Sequence, residues 1–346
     1  FEDSLAAVIE AFNEEYPDIE VNYEIRADGD YYSLLSTAIQ SGDGPDLFWT
    51  NGTATVNMPD YVDNGAIADL TDKVDFSFFD DNALALSEID GKYYSVPWMT
   101  LDTRTVFYNK DMFEEHGWEV PKTFSEFEDL LAEIKGEGIT PISMALESWS
   151  LLFGFEPILA GYDPDYSAKL QDYTDVTATD QPVRDCMQLM VDWADKGYFG
   201  DNWQGVIDNA SQILAFTSGN AAMDIAGSWD AATISSNNPD LNYGAFAIPS
   251  EDGTCGLVGS AANGFSVNSA SSNLEAALTF ANFCATEEAQ TIWVQSQGAV
   301  PATDTIEAST EIAQEISDSG QGNLYRSWQN VLSSYSSTGN ASTVWG

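Results

Sequence analysis

The chain has 346 residues, of which 44% are hydrophobic, and its 56 Asp and Glu outnumber 11 Lys and Arg for a formal net charge of −45. This length exceeds the size at which a single core keeps growing, so we expect two lobes. The acidic balance repels phosphate backbones and argues against nucleic acid as a partner. It also disfavours anionic small ligands unless one of the few arginines is committed to them.

Cysteine and histidine usage argues against several chemistries. Cys186, Cys255 and Cys284 are too few and too scattered for a disulfide framework, and the first and last fall in helical patterns typical of buried small hydrophobes. With one histidine, His116, and no CxxC motif, we expect no metal site and no cofactor. Because His116 lies in a polar segment without a partner signal, a Ser-His-Asp enzyme is not expected either.

The N-terminal region alternates helical and extended patterns. Apolar residues at helical spacing predict a helix over 5–16, and alternation over 19–25 predicts a strand. A second helix is predicted over 34–39, followed by a buried strand over 45–49 that runs into the polar loop 50–53. This order of helix, strand, helix and strand indicates a parallel sheet with helices on both faces.

Turn and cap signals divide the rest of the chain. Residues 90–92 form a hairpin-type turn, and a strand is expected at 106–108. The capping-box pattern over 123–126 marks the start of a helix. Further strands are predicted at 139–145, 243–248 and 264–267, and further helices at 183–194, at 274–281 and after Thr286.

The most informative stretch ends in a tryptophan. Residues 213–216 belong to a predicted helix, and residues 222–226 form a short apolar segment, bounded by glycines, that suits a buried strand. Gly227 and Ser228 then remove side-chain bulk where the strand stops, and Trp229 follows. The carboxyl end of a strand in an open α/β sheet is where ligands bind. Trp229 is therefore either a ligand contact or an aromatic residue of the core or rim.

Five motifs, taken together in their order and spacing, resemble the extracellular solute-binding proteins of ABC importers, specifically the maltodextrin-binding-protein superfamily. The motifs are Ser41-Gly42-x-Gly44-Pro45-Asp46-Leu47, Tyr108-Asn109-Lys110-Asp111, Phe216-x-Ser218-Gly219-Asn220-Ala221-Ala222-Met223, Gly227-Ser228-Trp229, and Glu275-Ala276-Ala277 before Phe280. The resemblance covers essentially the whole chain. Two parts of the family pattern are missing, a strand ahead of the first helix and helical sequence after Trp345, so we interpret the chain as a trimmed mature protein.

The resemblance implies an α/β, two-lobed, periplasmic-binding-protein-like fold. Each lobe would be a mostly parallel sheet flanked by helices, with the ligand cleft between the lobes. The N-terminal lobe would comprise 1–107 and about 255–312, and the C-terminal lobe 108–250 and about 313–346. Hinge crossings would lie near 102–109 and 247–260.

Family position also implies a set of ligand contacts and no catalytic residues. Sugars offer C–H faces that pack on aromatic rings and hydroxyls that require donors and acceptors, and the set provides both. Its members are Thr50, Asn51, Thr53, Asp102, Arg104, Trp149, Trp203, Trp229, Asp230, Ser260, Asn263 and Trp345. Arg104 could reach the ligand or pair with Asp102, and we favour the pairing. Each tryptophan could instead be a packing residue, and Trp118, in a polar segment, is expected at the surface away from the site.

The function that the resemblance implies is capture of a neutral oligosaccharide and its delivery to an ABC permease. The protein would be a monomer outside the cell, either periplasmic or lipid-anchored to the outer face of the cytoplasmic membrane, and not an enzyme. The alternatives are a glycoside hydrolase and a surface carbohydrate-binding adhesin. A hydrolase would require two carboxylates about 5–10 Å apart across the cleft, and no motif nominates such a pair.

Overall fold

The computed structural model describes residues 2–26, 28–54, 57–146, 148–169 and 176–328, without the side chains of 28–30, 54, 82, 148 and 149. These residues form two compact units. Unit 1 comprises the described residues up to Thr100 together with Ala261–Ser309, and unit 2 comprises Leu101–Ser260 together with the described residues from Thr310. The sequence placed its lobe boundaries near 107, 255 and 312. That the passages between the units act as hinges stays a prediction.

Helices account for most of the regular structure in both units. They are α1 (Glu2–Glu15), α2 (Asp28–Ser41), α3 (Asn57–Asp63), α4 (Asp81–Leu84), α5 (Lys110–His116), α6 (Phe124–Gly136), α7 (Ser148–Tyr162), α8 (Pro164–Lys169), α9 (Gln181–Asp195), α10 (Asn209–Thr217), α11 (Asp230–Asn237), α12 (Leu274–Cys284), α13 (Glu287–Gln297) and α14 (Glu311–Ser319). Short 3-10 helices cover Gly52–Ala54 and Trp203–Gly205. Among the described residues, no helix is both long enough and apolar enough to span a membrane.

The strands include two long ones whose residues belong to both units. The strands are β1 (Leu47–Trp49), β2 (Glu88–Ile89), β3 (Lys92–Tyr93), β4 (Val96–Asn109), β5 (Thr140–Ser143), β6 (Ala221–Gly227), β7 (Tyr243–Phe246), β8 (Leu257–Val267) and β9 (Leu324–Tyr325). In unit 1, β1 is antiparallel to β8. In unit 2, β4 is antiparallel to β6 and β7, whereas β5 is parallel to β6 and β8 is parallel to β9.

The α/β class is confirmed, but the sheet is mixed rather than mostly parallel. β5 and β6 are parallel because helices α7 to α10 form the crossover between them. β4 enters unit 2 directly from unit 1 without such a crossover, and it runs antiparallel to β6 and β7. The parallel sheet was predicted from the alternation of helices and strands alone. That alternation does not indicate in which direction β4 runs relative to β6 and β7.

The core of unit 1 forms around α1. Leu5, Val8, Ile9 and Phe12 are buried and recur at the spacing of one helix face, as the sequence predicted. The ring of Phe12 packs edge-on against Phe280 of α12 with centroids 5.0 Å apart. This contact joins the first helix to a helix from the distant part of the chain.

The core of unit 2 includes α6, whose start the capping signal located correctly. The Thr123 hydroxyl accepts a hydrogen bond from the backbone N–H of Glu126 at 3.1 Å. Phe127 is fully buried and packs edge-on against Trp193 of α9 at 5.8 Å. Strand β6 lies within this unit with all of its residues buried.

The strand predicted over 19–25 is wrong. These residues belong to no strand of the structure, and Tyr23 and Ile25 remain 43% and 48% exposed. Alternation of β-branched and aromatic residues favours extended backbone, but a strand also requires the hydrogen-bonding groups of a neighbour. None of the described strands pairs with this segment.

Trp118 is buried and not at the surface as the sequence suggested. Helix α5 ends in a Schellman motif, in which Gly117 has a φ of 73° and the backbone N–H of Trp118 donates to Phe113 at 2.9 Å. The motif turns the chain back on the helix. The indole therefore packs edge-on against Phe113 and stacks on His116, with ring centroids 5.7 Å and 4.4 Å away. Trp118 has 6% exposure.

The charge balance predicts that salt stabilises the fold. Even if each of the 11 basic residues paired with one acid, most of the 56 carboxylates would have no cationic partner. Raising sodium chloride from 0.1 M to 1 M shortens the Debye length from about 10 Å to about 3 Å and screens this repulsion. The melting temperature should rise by about 2–4 °C for each kcal/mol relieved. Potassium chloride should act alike, and an unchanged or lower melting temperature in both salts would contradict the account.

Candidate functional site

The candidate site in unit 2 begins where β6 ends. In the antiparallel pair of β4 and β6, Arg104 lies opposite Gly227. The Ser228 backbone N–H donates to the Thr103 carbonyl at 2.8 Å, and its hydroxyl donates to the Leu101 carbonyl at 2.8 Å. Ser228 is therefore a structural residue that fixes the end of β6 to β4 and sets the point at which the chain leaves the sheet.

Gly227 leaves room for the ring of Trp229. A Cβ atom at Gly227 would lie 2.1 Å from two atoms of the indole, a distance that no side chain tolerates. The ring of Trp229 packs edge-on against Phe153 of α7, with centroids 5.6 Å apart, and keeps 36% of its surface exposed. Trp229 is thus held from one side and accessible from another. This combination suits stacking on a ligand ring.

Arg104 does not form the ion pair with Asp102 that the sequence favoured. Its Nε lies 2.9 Å from the Glu156 carboxylate of α7, and its Nη1 donates to the backbone carbonyl of Asp102 at 3.1 Å. The Arg104 guanidinium carbon lies 3.8 Å from the centroid of the Phe153 ring and 5.5 Å from that of Trp229. The Glu156 side chain has no exposed surface whereas Asp102 is only partly buried, so the charge of Glu156 requires a partner more strongly.

Asp102 and Ser260 are partly exposed residues of adjacent backbone segments. A Cβ atom at Gly259 would lie 2.1 Å from the Asp102 carbonyl oxygen, so the two backbones are in direct contact. Burial raises the pKa of the Asp102 carboxyl to about 6, and the charge of Arg104 opposes this rise. When it is ionised, the Asp102 carboxylate can accept hydrogen bonds.

Asp224 of β6 and Asp230, the first residue of α11, are both buried carboxylates. Asp230 accepts a hydrogen bond from the Asn209 amide at 3.1 Å, and Asp224 accepts one from the Gln212 amide at 2.7 Å. Burial raises the pKa of Asp230 to about 6 and that of Asp224 to about 8, where the charge of Asp230 adds to the rise. Asp230 has 4% exposure, and its predicted contact with a ligand stays a prediction.

The three other tryptophans of the predicted set are Trp203, Trp149 and Trp345. Trp203 lies in the 3-10 helix of unit 2, is partly buried, and has its ring 6.1 Å from that of Phe199. For Trp149 the structure describes the backbone, in the first turn of α7, but not the side chain. Trp345 lies outside the described residues.

In unit 1, the loop after β1 is held by buried polar groups. Thr50 has no exposed surface, and its hydroxyl lies 3.2 Å from the Ser266 hydroxyl and 3.5 Å from the Asn263 amide oxygen. A Cβ atom at Gly52, whose φ is 57°, would come within 2.0 Å of the Asn263 amide nitrogen. Thr50 and Asn263 therefore position the loop from within.

The other two predicted contacts of this loop are accessible. Asn51 is exposed, and its amide oxygen accepts a hydrogen bond from the Trp49 indole at 3.1 Å. The backbone N–H of Asn51 donates to the Tyr32 hydroxyl at 3.2 Å. Thr53 is partly exposed and donates its backbone N–H to the Leu86 carbonyl at 2.9 Å.

Sequence reasoning missed Phe153 and Glu156. A signal was present, because Glu156 is the one acidic residue in the apolar run from Leu151 to Ile158. An acid in such a run indicates a buried charge that needs a partner. Phe153 and Glu156 are also three residues apart, which places them on one face of a helix. Among the described residues, no group of three or more His, Cys, Asp or Glu could hold a metal ion.

The fold is that of two-lobed substrate-binding proteins. A solved chitin oligosaccharide binding protein superposes with a TM-score of 0.78 over 96% of this chain and 86% of that chain, at 22% identity. The solute-binding protein RafE in complex with raffinose superposes with a TM-score of 0.74 over 95% of this chain and 87% of that chain, at 23% identity. The fold class inferred from the motifs is thereby confirmed.

The family model described as bacterial extracellular solute-binding protein matches residues 1–291, and the chain belongs to this family. A multiple sugar-binding protein of Streptococcus mutans is 27% identical over 293 residues, which are 83% of this chain and 69% of that protein. The resemblance that the motifs indicated is confirmed. The family is one of binding proteins that act outside the cytoplasm.

Asp224 predicts a specific pH dependence of stability. Its pKa of about 8 in the folded state exceeds its ordinary value of 3.8, so the folded state binds more protons between these values. The free energy of unfolding should therefore fall as pH rises from about 4 to 8, by at most about 1.4 kcal/mol per pH unit from this group. Asp224→Asn cannot ionise and should lose this decline. Urea unfolding at about pH 5.5 and pH 8 measures the difference.

Asp208→Asn is the matched control for Asp224→Asn. Asp208 caps α10, and the hydrogen bonds from Ser211 lower its pKa, so it stays ionised over the same pH range. Asn is a comparable N-cap. Its effect on unfolding should be small and independent of pH. Parallel pH profiles for Asp224→Asn and the parent protein would show that Asp224 is already ionised in the folded state.

Proposed function

We propose that this protein captures a neutral oligosaccharide outside the cell and delivers it to an ABC permease. The observation that carries the proposal is the partly exposed indole of Trp229, which lies on Gly227 and against Phe153. A pyranose ring presents a face of C–H groups that packs on such an aromatic surface. The names of similar proteins support a sugar, since they refer to multiple sugars, chitin oligosaccharide and raffinose.

The charges beside Trp229 favour an uncharged ligand. The guanidinium of Arg104 is already paired with Glu156, and Asp102 contributes a partly exposed carboxylate. A carboxylate accepts hydrogen bonds from sugar hydroxyls but repels an anion. In unit 1, the amide of Asn51 and the hydroxyl of Thr53 can also form hydrogen bonds with sugar hydroxyls. We propose that one oligosaccharide contacts residues of both units.

The proposed partners follow from the family. A solute-binding protein of an ABC importer passes its ligand to a permease in the membrane, and we propose that this protein does so as a monomer. A lipid anchor on the outer face of the cytoplasmic membrane would keep it near the permease. No catalytic step is part of the proposal.

Replacing Trp229 tests the proposed site. A panel of raffinose, maltotriose, diacetylchitobiose and cellotriose, measured by calorimetry, identifies the sugar that binds most tightly. Trp229→Ala should weaken binding of that sugar by about 2–4 kcal/mol, or roughly 30- to 1,000-fold in Kd, because it removes a central aromatic contact. Trp229→Phe should recover part of the loss, since a ring face remains while the indole N–H donor is lost.

Tyr162→Ala is the matched control. Tyr162 lies in unit 2, has 41% exposure, and packs edge-on against Phe124 at 5.8 Å with an interplanar angle of 71°. Trp229 has the same interplanar angle of 71° to Phe153. Tyr162→Ala should leave Kd unchanged. If Trp229→Ala stays folded and binds the sugar as tightly as the parent protein, Trp229 is a packing residue and the proposed site is wrong.

Ligand-induced closure is the second consequence of the proposal. If one oligosaccharide contacts both units, it stabilises the conformation in which both contacts are made. Saturating sugar should then reduce the radius of gyration measured by small-angle scattering and raise the melting temperature by mass action. A rise in melting temperature at an unchanged radius would show binding to one unit alone.

A further inference from the structure

Arg104 and Glu156 form a buried ion pair in unit 2. The side chains of Arg104 and Glu156 have 5% and 0% exposure, with Nε and Oε2 2.9 Å apart. By contrast, the Lys92–Asp69 and Lys135–Asp201 pairs are partly or largely exposed. Burying two charges is costly even when they are paired, so the pair needs an explanation beyond stability.

The Arg104 end of the pair reaches the aromatic residues of the candidate site. The guanidinium carbon lies 3.8 Å from the Phe153 ring centroid and 5.5 Å from that of Trp229, while Nη1 donates to the Asp102 carbonyl at 3.1 Å. A cation over aromatic faces is attracted by the ring quadrupole. Arg104 therefore fixes the position of Phe153 relative to Trp229, and its hydrogen bond fixes the backbone at Asp102.

The Glu156 end of the pair fixes Arg104 to the rest of unit 2. Its second oxygen, Oε1, accepts hydrogen bonds from the Ser327 hydroxyl at 2.5 Å and the Trp328 backbone N–H at 2.7 Å. Trp328 is itself buried. Oε1 of Glu156 thus has two hydrogen-bond donors, whereas Oε2 lies 2.9 Å from Arg104 Nε in an ionic contact that lacks hydrogen-bond geometry. The guanidinium is held by this charge and by the hydrogen bond from its Nη1 to the Asp102 carbonyl.

We propose that Glu156 is a positioning residue for the sugar-stacking surface formed by Trp229 and Phe153, through its hold on Arg104. The inference rests on the proposed function and identifies a specificity determinant for it. Glu156 sets the geometry of the aromatic pair and neutralises the cation beside it, so the surface accepts uncharged rings. Neither residue of the ion pair touches the sugar.

The test is a double-mutant cycle on the tightest-binding sugar of the panel. Glu156→Gln keeps the shape and the oxygen that Ser327 and Trp328 use, but it removes the charge that holds Arg104. It should raise Kd by about tenfold, which corresponds to 1.4 kcal/mol. In a Trp229→Ala background the same substitution should change Kd by less than about twofold, because the surface it positions is already gone.

Glu315→Gln is the matched control. Glu315 also lies in unit 2 and pairs with Lys110, with Nζ and Oε1 2.5 Å apart and both side chains partly buried. Its substitution should lower the melting temperature without changing Kd at temperatures where the protein is folded. A buried ion pair with only a structural role would give the same result for Glu156→Gln, and that result would overturn the inference.

The outcomes separate the inference from the proposed function. If Trp229→Ala itself leaves Kd unchanged, the proposed function fails, and the inference fails with it. If Trp229→Ala weakens binding but Glu156→Gln has no effect, or has an equal effect in both backgrounds, the inference alone fails. Should Glu156→Gln not fold, Arg104→Lys takes its place in the cycle. Lysine keeps the charge beside Glu156 but loses the planar group over Phe153, so the same non-additivity with Trp229→Ala is expected.

Discussion

The proposed site depends on the ion pair between Arg104 and Glu156. The pair joins β4, helix α7 and the segment after β9, because Glu156 also accepts hydrogen bonds from Ser327 and Trp328. Removing one partner would leave a buried charge uncompensated, which is strongly destabilising. The position of the aromatic residues over Arg104 therefore follows from a contact in the interior rather than from the exposed surface.

The same interaction relates the chemistry of the site to the charge of the whole chain. The chain has a formal net charge of −45 and only 11 Lys and Arg residues. One of them, Arg104, forms an ion pair with the Glu156 carboxylate. The groups that contact this arginine are then the partly exposed ring of Trp229 and the backbone of Asp102, a residue that is itself partly exposed. Such a surface suits polyhydroxylated, uncharged ligands, whose hydroxyls can donate to the oxygens while their C–H faces meet the ring.

Local signals in the sequence predicted seven of the fourteen described helices and the strand before Trp229, but not α7, which carries Phe153 and Glu156. The cap at Thr123 and the apolar face of α1 were read correctly because they depend on neighbours within a few residues. The strand before Trp229 was also correct, since a short apolar segment bounded by glycines suits burial. Family motifs supplied the fold class, which the fold comparison confirmed.

The errors share a different origin, since each required knowledge of a distant contact or an overlooked motif. The segment 19–25 had strand-like alternation but no described partner strand. Trp118 has polar neighbours in the sequence, which suggested a surface position, but the Schellman motif at the end of α5 turns it into the interior. Arg104 had a nearby acid at Asp102, yet its partner is Glu156, on a helix far along the chain. Burial decides between two such acids, and burial is a property of the folded chain.

A crystal structure of the protein with its tightest-binding neutral oligosaccharide would test the central claim most directly. We expect a sugar ring stacked on the exposed face of Trp229, at a contact distance of about 4 Å, with Arg104 still paired with Glu156. A sugar bound away from Trp229, or an Arg104 that has left Glu156 to contact the sugar, would contradict it.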